Sequence, residues 1–205
     1  MFCDLHIEPR SPKEATMMAE ILRRSGFRCV GLAETSYGMA SPIFIQRGFK
    51  VLRTIVVEAS SERDAKARIK RVTKKSGTVI IGRTSDAAAF RFFSRDSRVD
   101  VVEASRRTVN LVDRNEALIL RKSGSLIGLR MWVLLKNPRN ISWMKALATR
   151  IFRHDIPFAI YSSAKEWSQL WHPRHLYSLF HNWTGYGRYA YLGLARPAYG
   201  ENVTK

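Results

Sequence analysis

Short apolar segments alternate along the chain with longer amphipathic ones. The short segments are rich in β-branched residues, which is typical of buried strands, whereas the longer ones repeat apolar residues every three or four positions, as helices do. Strands are predicted at residues 2–7, 27–33, 51–57, 78–81, 99–102 and 157–161. Residues 117–120 and 126–135 are apolar but fit a strand and a helix equally well.

Capping and stop residues divide the helices from the strands. Ser11-Pro12 opens a helix that Gly26 ends, and Ser41-Pro42 opens a short one, as expected for proline in the first helical turn and glycine after the last. Ser60-Ser61 precedes a helix that we expect to reach about Lys75. Further helices are predicted at 87–94, 140–153 and 173–180, followed by an apolar element at 189–195.

Alternating strands and helices indicate a parallel sheet with helices outside it. The strands are apolar on both faces, as the strands of a buried parallel sheet are. No linker rich in Pro, Gly or Ser interrupts residues 1–205. The pattern therefore predicts one α/β domain over 1–205 with a barrel-like arrangement.

The net charge of the chain indicates the kind of partner that it binds. The chain has 35 Lys and Arg against 17 Asp and Glu, a net charge of +18, and 45% of its residues are hydrophobic. The apolar content argues against a disordered chain, and no apolar run is long enough to span a membrane. No secretory signal is recognisable at residues 1–4. We expect a cytoplasmic protein, not bound to a membrane, whose partner is a polyanion, most simply a nucleic acid.

The bases are concentrated in two places. Between Glu62 and Lys75 there are seven bases and two acids, and a helix through these residues would align like charges at i and i+4, which destabilises it unless a polyanion is bound. A solvated outer helix face is the alternative interpretation. The residues predicted to bind RNA here are Lys66, Arg68, Lys70, Arg71, Lys74 and Lys75.

A second group of arginines follows. Arg91, Arg95 and Arg98 lie on or after the 87–94 helix, whose phenylalanines we assign to the core. Three more arginines follow predicted strands and are expected to contact RNA, because guanidinium groups bind phosphates and loops after strands carry function in barrels. They are Arg83, Arg106 and Arg107.

Four segments, in this order, resemble a known family. They are Asp4-Leu5-His6 with the following helix and Gly26-Phe27, then Arg98-Val99-Asp100-Val101-Val102, then Pro157 to Ala164, and His172-Pro173-Arg174-His175-Leu176. The opening segment is similar to the start of the PHP superfamily of barrel-like, metal-dependent phosphoesterases. The ordered set resembles the archaeal ribonuclease P protein component 3 family over nearly the full length, although His172 and His175 stand where that family has Arg and Asp.

This resemblance implies a TIM-barrel-like, PHP-like fold and a non-catalytic subunit of ribonuclease P. Such a subunit would bind the RNase P RNA and a partner protein, especially protein component 2, and would support endonucleolytic removal of the 5′ leader from precursor tRNA. In that family the RNA carries the active site. The chain itself then needs no cofactor, and the Mg²⁺ of the holoenzyme is required by the RNA.

The alternative is a metal-dependent phosphoesterase of the PHP type. His6 is present, but Glu8 replaces the second histidine of the superfamily's His-x-His motif, and Ser162-Ser163 stands in place of a late Asp-x-His. Because a closed set of metal ligands cannot be written, we predict no metal centre and assign Asp4 and His6 to a buried, hydrogen-bonded pair. The remaining vestigial ligand candidate is Glu58, and a single weakly bound ion at Glu8, Glu34 and Glu58 stays open.

Two further points stay open. Cys3 and Cys29 lie near the starts of two predicted strands; buried thiols are favoured, but neighbouring strands would allow a disulfide. The aromatic residues of the C-terminal part fit a core layer and a protein interface equally well. They are Trp167, Trp171, Tyr177, Phe180, Trp183, Tyr186, Tyr189 and Tyr191.

Overall fold

A computed structural model of the chain describes residues 1–199. Within them seven strands, all parallel, lie side by side in chain order and curl into a nearly closed barrel. The strands are β1 (Phe2–Ile7), β2 (Phe27–Ala33), β3 (Lys50–Ala59), β4 (Thr78–Thr84), β5 (Val101–Glu103), β6 (Leu126–Arg130) and β7 (Phe158–Tyr161). This confirms the predicted TIM-barrel-like α/β fold.

Helices connect the strands and cover the outside of the barrel. They are α1 (Pro12–Arg24), α2 (Glu34–Gln46), α3 (Glu62–Arg71), α4 (Ala87–Arg95), α5 (Arg114–Ser123), α6 (Trp132–Lys136), α7 (Ile141–Arg153), α8 (Pro173–Thr184) and α9 (Arg188–Tyr199). Most of the core lies between the sheet and these helices. A smaller apolar cluster fills the inside of the barrel around Leu5, Leu52, Ile81 and Val101.

The barrel has two distinct ends. All strands are parallel, and each connecting helix returns the chain to the start of the next strand. The carboxyl ends of the strands therefore lie at the same end of the barrel as the amino ends of the helices that follow them, and we call this the upper end. The amino ends of the strands share the other, lower end with the carboxyl ends of the helices.

Close backbone approach curves the first three strands. Gly31 of β2 faces the barrel interior, where a β-carbon would lie 2.0 Å from the Leu5 carbonyl oxygen of β1. The Thr54 hydroxyl of β3 uses this space and donates a hydrogen bond of 2.7 Å to the same oxygen. Only glycine permits this contact, because any side chain would push the two outer strands apart.

The seam between β1 and β7 closes the barrel. Ile7 and Ala164 form an isolated parallel bridge, and the Glu8 amide donates to the Ala164 carbonyl oxygen at 2.8 Å. Helix α9 packs against both β1 and β7, and Tyr191 of α9 stacks on Phe2 with ring centroids 5.5 Å apart. A helix thus covers the gap that an eighth strand fills in a complete barrel.

Two helices differ from their predicted bounds. Helix α2 begins at Glu34, well before the predicted start at Ser41-Pro42, and carries Pro42 inside it; burial of Ser36, Ala40 and Phe44 outweighs the hydrogen bond that proline removes. Helix α3 ends at Arg71, since Val72 has an extended backbone. Val72 and Thr73 are β-branched and poor helix formers, so the predicted continuation to Lys75 is wrong.

The ambiguous middle segments and the cysteines are also resolved. Residues 117–120 lie in α5, whereas 126–135 divides into β6 and the start of α6. Cys3 and Cys29 are paired in register on β1 and β2 and form a disulfide buried inside the barrel. The favoured prediction of two free thiols is therefore wrong, because strand pairing brings their Cα atoms to 4.3 Å.

No helix among residues 1–199 is both long and apolar enough to cross a membrane.

Candidate functional site

A charged cluster lies in the barrel at its upper end, centred on Glu103. Glu103 is the last residue of β5 and only 5% exposed. Its carboxylate contacts the Arg83 Nε atom and the Arg130 Nε atom, each at 2.9 Å, from the two neighbouring strands. The Tyr161 hydroxyl of β7 donates a third contact, also of 2.9 Å. We call Glu58, Arg83, Glu103, Arg130 and Tyr161 the upper ion cluster.

Arg83 links the buried part of this cluster to solvent. Its second nitrogen contacts the Glu58 carboxylate at 2.6 Å, and the Glu58 side chain is 64% exposed. Burial works to lower the pKa of Arg83, but the Glu103 charge and the hydrogen bond to Glu58 outweigh it, so the pKa is raised. The cluster therefore holds two cations and two anions, and its formal charges cancel.

Glycine makes room for the tyrosine of this cluster. A β-carbon on Gly128 of β6 would lie 3.0 Å from the Tyr161 hydroxyl oxygen and 2.7 Å from a Val101 methyl. Burial and the Glu103 charge raise the pKa of Tyr161 well above its usual value. Tyr161 is thus a neutral hydrogen-bond donor to Glu103, with its ring closing the apolar interior below.

A second polar group holds the seam. The Asp4 carboxylate accepts hydrogen bonds from the Ser162 amide at 3.1 and 3.3 Å and from the His6 amide at 3.3 Å. The His6 Nδ1 atom lies 3.0 Å from the Ser163 hydroxyl. Asp4 and His6 are buried, as predicted, but each is bonded to the end of β7 and their side chains do not pair directly.

Burial changes the protonation of both side chains. It raises the pKa of Asp4 to about 6, against the hydrogen bonds from Ser162 and His6. It lowers the pKa of His6 to about 4, and the positive charge of Arg83 acts in the same direction. At neutral pH His6 is therefore an uncharged imidazole beside a serine hydroxyl.

This serine and histidine do not form the usual catalytic arrangement. In a nucleophilic triad the carboxylate accepts a hydrogen bond from the imidazole and orients it. The Asp4 carboxylate instead accepts hydrogen bonds from the backbone amides of His6 and Ser162. Ser163 is 6% exposed and has φ of +54°, a conformation that a non-glycine residue adopts at a cost. The hydrogen bonds of Asp4 and His6 to Ser162 and Ser163 therefore hold β1 and the end of β7 together.

Three carboxylates at the upper end are each bound to a base. Glu8 contacts Lys165 at 3.1 Å, Glu34 contacts Arg53, and Glu58 contacts Arg83. Across the described part of the chain, no three His, Cys, Asp or Glu side chains are grouped so that they could hold a metal ion. The three vestigial candidates, Asp4, His6 and Glu58, are not brought together as ligands.

Helix α3 places its predicted RNA-binding residues in different surroundings. Lys66 and Arg68 form ion pairs with Glu62 and Asp64 at 2.6 and 2.7 Å, one turn earlier on the same helix. Lys74 lies beyond the helix and contacts Asp100 at 2.7 Å, so the predicted stripe of Lys66, Lys70 and Lys74 is wrong at its third member. Among the six predicted residues, Lys70, Arg71 and Lys75 are exposed and form no such pair within residues 1–199.

The arginines that follow strands also separate. Arg83 is engaged in the upper ion cluster, whereas Arg106 and Arg107 are exposed in the loop after β5, also at the upper end. Arg98 pairs with Asp96 at the lower end, with two contacts of 2.9 and 2.6 Å. Bases that are close in the sequence are thus divided between the two ends of the barrel.

Sequence reasoning missed the centre of the upper ion cluster. Glu103 lies at the end of an apolar strand, which is the position where barrels present charged side chains, and Arg130 ends β6 in the same way. This signal was available for both. Nothing in the sequence indicated the hydrogen bond from Tyr161 to Glu103, because a tyrosine in an apolar strand looks like an ordinary core residue.

Half of the eight C-terminal aromatics belong to the core or pack against it, namely Phe180, Trp183, Trp171 and Tyr189. Phe180 and Trp183 are buried, and Tyr177 stacks between Tyr191 and His181 over the seam. Trp167 and Tyr186 remain 48% and 60% exposed. The core interpretation therefore holds for half of the set, and the exposed rings of Trp167 and Tyr186 are suited to an interface.

Comparison with known proteins shows a likeness among solved structures. No protein-family model matches the sequence, and no curated protein matches it significantly. Among solved structures, the chain is similar to a chain in the cryo-EM structure of archaeal ribonuclease P with mature tRNA. The TM-score is 0.75 with 14% identity, and the match covers 93% of this chain and 86% of the other. At this identity the likeness establishes the shared fold.

Proposed function

We propose that this chain is a protein subunit of ribonuclease P and that it supports removal of the 5′ leader from precursor tRNA. The observation that carries the proposal is the likeness, over 93% of the chain, to a chain of archaeal ribonuclease P. The segments that resemble protein component 3 point in the same direction. The net charge of +18 supplies the attraction to RNA that such a subunit needs.

The chemistry of the upper end supports the proposal of a supporting rather than a catalytic role. A metal-dependent phosphoesterase needs free carboxylates and imidazoles around its ion. Here guanidinium groups contact Glu58 and Glu103, and His6 is buried against Ser163. Because a guanidinium cannot be deprotonated in a protein, Arg83 and Arg130 would repel a divalent cation at this position.

The proposed partners are the RNase P RNA, precursor tRNA within the holoenzyme, and another protein subunit, with protein component 2 as the candidate that the family resemblance names. The Mg²⁺ of the reaction would be held by the RNA. The exposed apolar side chains Leu135 and Ile141, each 48% exposed on α6 and α7, are compatible with a protein contact beside the upper end.

Reconstitution tests this function directly. Precursor tRNA cleavage would be measured with the RNase P RNA and the remaining protein subunits of the same organism, with and without this chain. We expect cleavage at limiting Mg²⁺ to rise when the chain is added and to become weaker with salt.

An unchanged cleavage rate would contradict the proposal. So would phosphatase activity of the isolated chain with Mn²⁺ or Zn²⁺ that is lost in His6→Ala, since that result would favour the metal-dependent phosphoesterase. The charge-neutral variant Tyr186→Phe, altered on an exposed ring far from His6 in the chain, serves as the phosphatase control.

A further inference from the structure

The lower end of the barrel carries positive charge that the fold does not neutralise. The carboxyl ends of α3, α4 and α5 lie side by side at this end, because α3 packs against α4 and α4 packs against α5. Five exposed bases at these ends have no carboxylate within 4 Å in the described structure. They are Lys70, Arg71, Lys75, Arg95 and Lys122, and we call them the lower basic surface.

Three acids beside this surface already have basic partners. Asp96 contacts Arg98 at 2.6 Å, Asp100 contacts Lys74 at 2.7 Å, and Asp155 contacts Arg121 at 2.7 Å. These pairs cancel and leave the five bases as a formal charge of +5. The ends of three helices contribute about −0.5 each, which offsets less than a third of that charge.

Hydrogen bonds connect the segments that carry these bases. The Asp100 carboxylate receives Lys74 from the loop after α3 and the Ile80 amide of β4. The Ser125 hydroxyl, next to the end of α5, donates to the Val99 carbonyl oxygen at 2.7 Å. Since packed helices lie 8–10 Å apart, the surface spans about 20 Å of the rim on a rigid support.

A groove leads from this surface along the outside of the barrel. It lies between α3 and α4, has a volume of about 280 Å³, and is lined by Glu62, Ala88, Arg91, Phe92 and Arg95. Lys66 lies 5.8 Å from the centre of the Phe92 ring. A concave channel with basic walls concentrates the field and attracts an anionic chain more strongly than a flat surface would.

We propose that the lower basic surface, continued by the α3–α4 groove, binds the phosphodiester backbone of RNA. This inference rests on the proposed function for the identity of the ligand. It assigns RNA to the end of the barrel opposite to the one where barrel enzymes place their active sites. The upper end, where charges cancel inside the barrel, is then free for other contacts.

The test uses three variants of the full chain and a fluorescently labelled precursor tRNA as the probe. The first changes Lys70, Arg71 and Lys75 to Gln. The second is a matched control with the same loss of charge, in which Lys13, Lys145 and Arg174 are changed to Gln. These bases are exposed on α1, α7 and α8 and have no carboxylate partner in the part of the chain that the structure describes. The third retains charge through Lys70→Arg and Lys75→Arg.

Three lost phosphate contacts should weaken binding on the order of 100-fold in 0.1 M salt and reduce the slope of log K against log[salt] by about 2–3. The control should change affinity by less than about threefold, because charges beyond one Debye length are screened. The charge-retaining variant should bind like the wild type. Thermal melting of each variant checks that folding is unchanged.

Equal weakening by the first variant and the control would overturn the inference, as would wild-type binding to phosphatidylserine vesicles but not to precursor tRNA. Cleavage assays separate this inference from the proposed function. If the wild type supports cleavage, and the first variant binds precursor tRNA and supports cleavage equally well, the inference about the lower basic surface is wrong but the proposed function stands. If the first variant loses binding but the wild type does not support cleavage, the surface stands and the proposed function fails.

Discussion

Charged side chains are arranged differently at the two ends of this barrel. At the upper end Glu103 brings two arginines and a tyrosine together inside the barrel, and the formal charges cancel. At the lower end the interior is apolar and is closed by the Cys3–Cys29 disulfide, while unpaired bases surround it on the outside. Buried charge is therefore structural here, whereas exposed, unbalanced charge is available to a partner.

This difference separates bases that look alike in the sequence. Lys75 precedes β4 and Arg83 lies near the end of this strand. The Arg83 guanidinium is largely buried between carboxylates, whereas the Lys75 side chain is exposed and has no carboxylate partner among residues 1–199. Moving a base away from a buried carboxylate leaves an unpaired charge in a low-dielectric interior, so such contacts resist exchange for phosphate. The lower bases lose only water and counterions on binding.

The largest effect should come from breaking the upper ion cluster at its centre. Glu103→Ala leaves Arg83 and Arg130 facing each other without their common carboxylate, and we expect the free energy of unfolding to fall by about 3–5 kcal/mol. Urea unfolding measures it. Glu58→Ala is the matched control, because its 64% exposed side chain should contribute no more than about 1 kcal/mol.

Equal losses in these two variants would show that the buried cluster is not what holds the upper end.

Removing the disulfide tests the lower end in the same way. A bond between residues 26 apart in the sequence restricts the unfolded chain, and the chain-entropy relation gives about 3.5 kcal/mol for a loop of this size. The double variant Cys3→Ala/Cys29→Ala should lose about this much, with a larger urea dependence because its unfolded state is more expanded.

Wild-type protein unfolded with and without a reducing agent provides the control for the lost sulfur atoms. A loss below about 1 kcal/mol in both comparisons would contradict a stabilising role for the bond at the lower end.

The seam between β1 and β7 should show a smaller, pH-dependent effect. Asp4 has a pKa of about 6 in the folded chain against an ordinary value of 3.8. Its protonated form therefore stabilises the fold at low pH, and this contribution is lost as the pH rises through about 6. Asp4→Asn removes that dependence, so its stability relative to the wild type should increase by up to about 3 kcal/mol between pH 4 and pH 8.

Urea unfolding of both proteins at several pH values measures this difference. His6 acts in the opposite direction, since its folded-state pKa of about 4 makes its contribution disappear as the pH falls from 6.5 through 4. It is present in both proteins and cancels in the comparison. A stability difference that does not change with pH would show that Asp4 is already ionised in the fold.

Local patterns were enough for most of the fold. Val51 to Val57 is rich in β-branched residues and Phe27 to Ala33 is mostly apolar, and the helical patterns on either side of them indicate strands. The end of α3 was missed because the basic pattern continues past Val72, where the backbone becomes extended. The spacing of charged residues does not predict the residue at which a helix ends.

The site was less predictable, for a physical reason. Asp4 and His6 are buried as predicted, but the predicted pairing is wrong, because each side chain is hydrogen-bonded to the serines after β7. Lys74 was assigned to an exposed stripe, although Asp100, 26 residues away, binds it. A contact between side chains this distant in the chain depends on which strands are neighbours, and no local pattern carries that information.

The amino-acid order was therefore sufficient for the βα repeat, the excess of bases and the incomplete set of metal ligands, since each of these depends on residues near one another in the chain. Strand order settled the rest. It joined Cys3 to Cys29, placed Arg83 and Arg130 on either side of Glu103, and put the ends of α3, α4 and α5 on one rim. Which bases are neutralised and which remain free depends on distances between side chains, and those exist only once the barrel has closed.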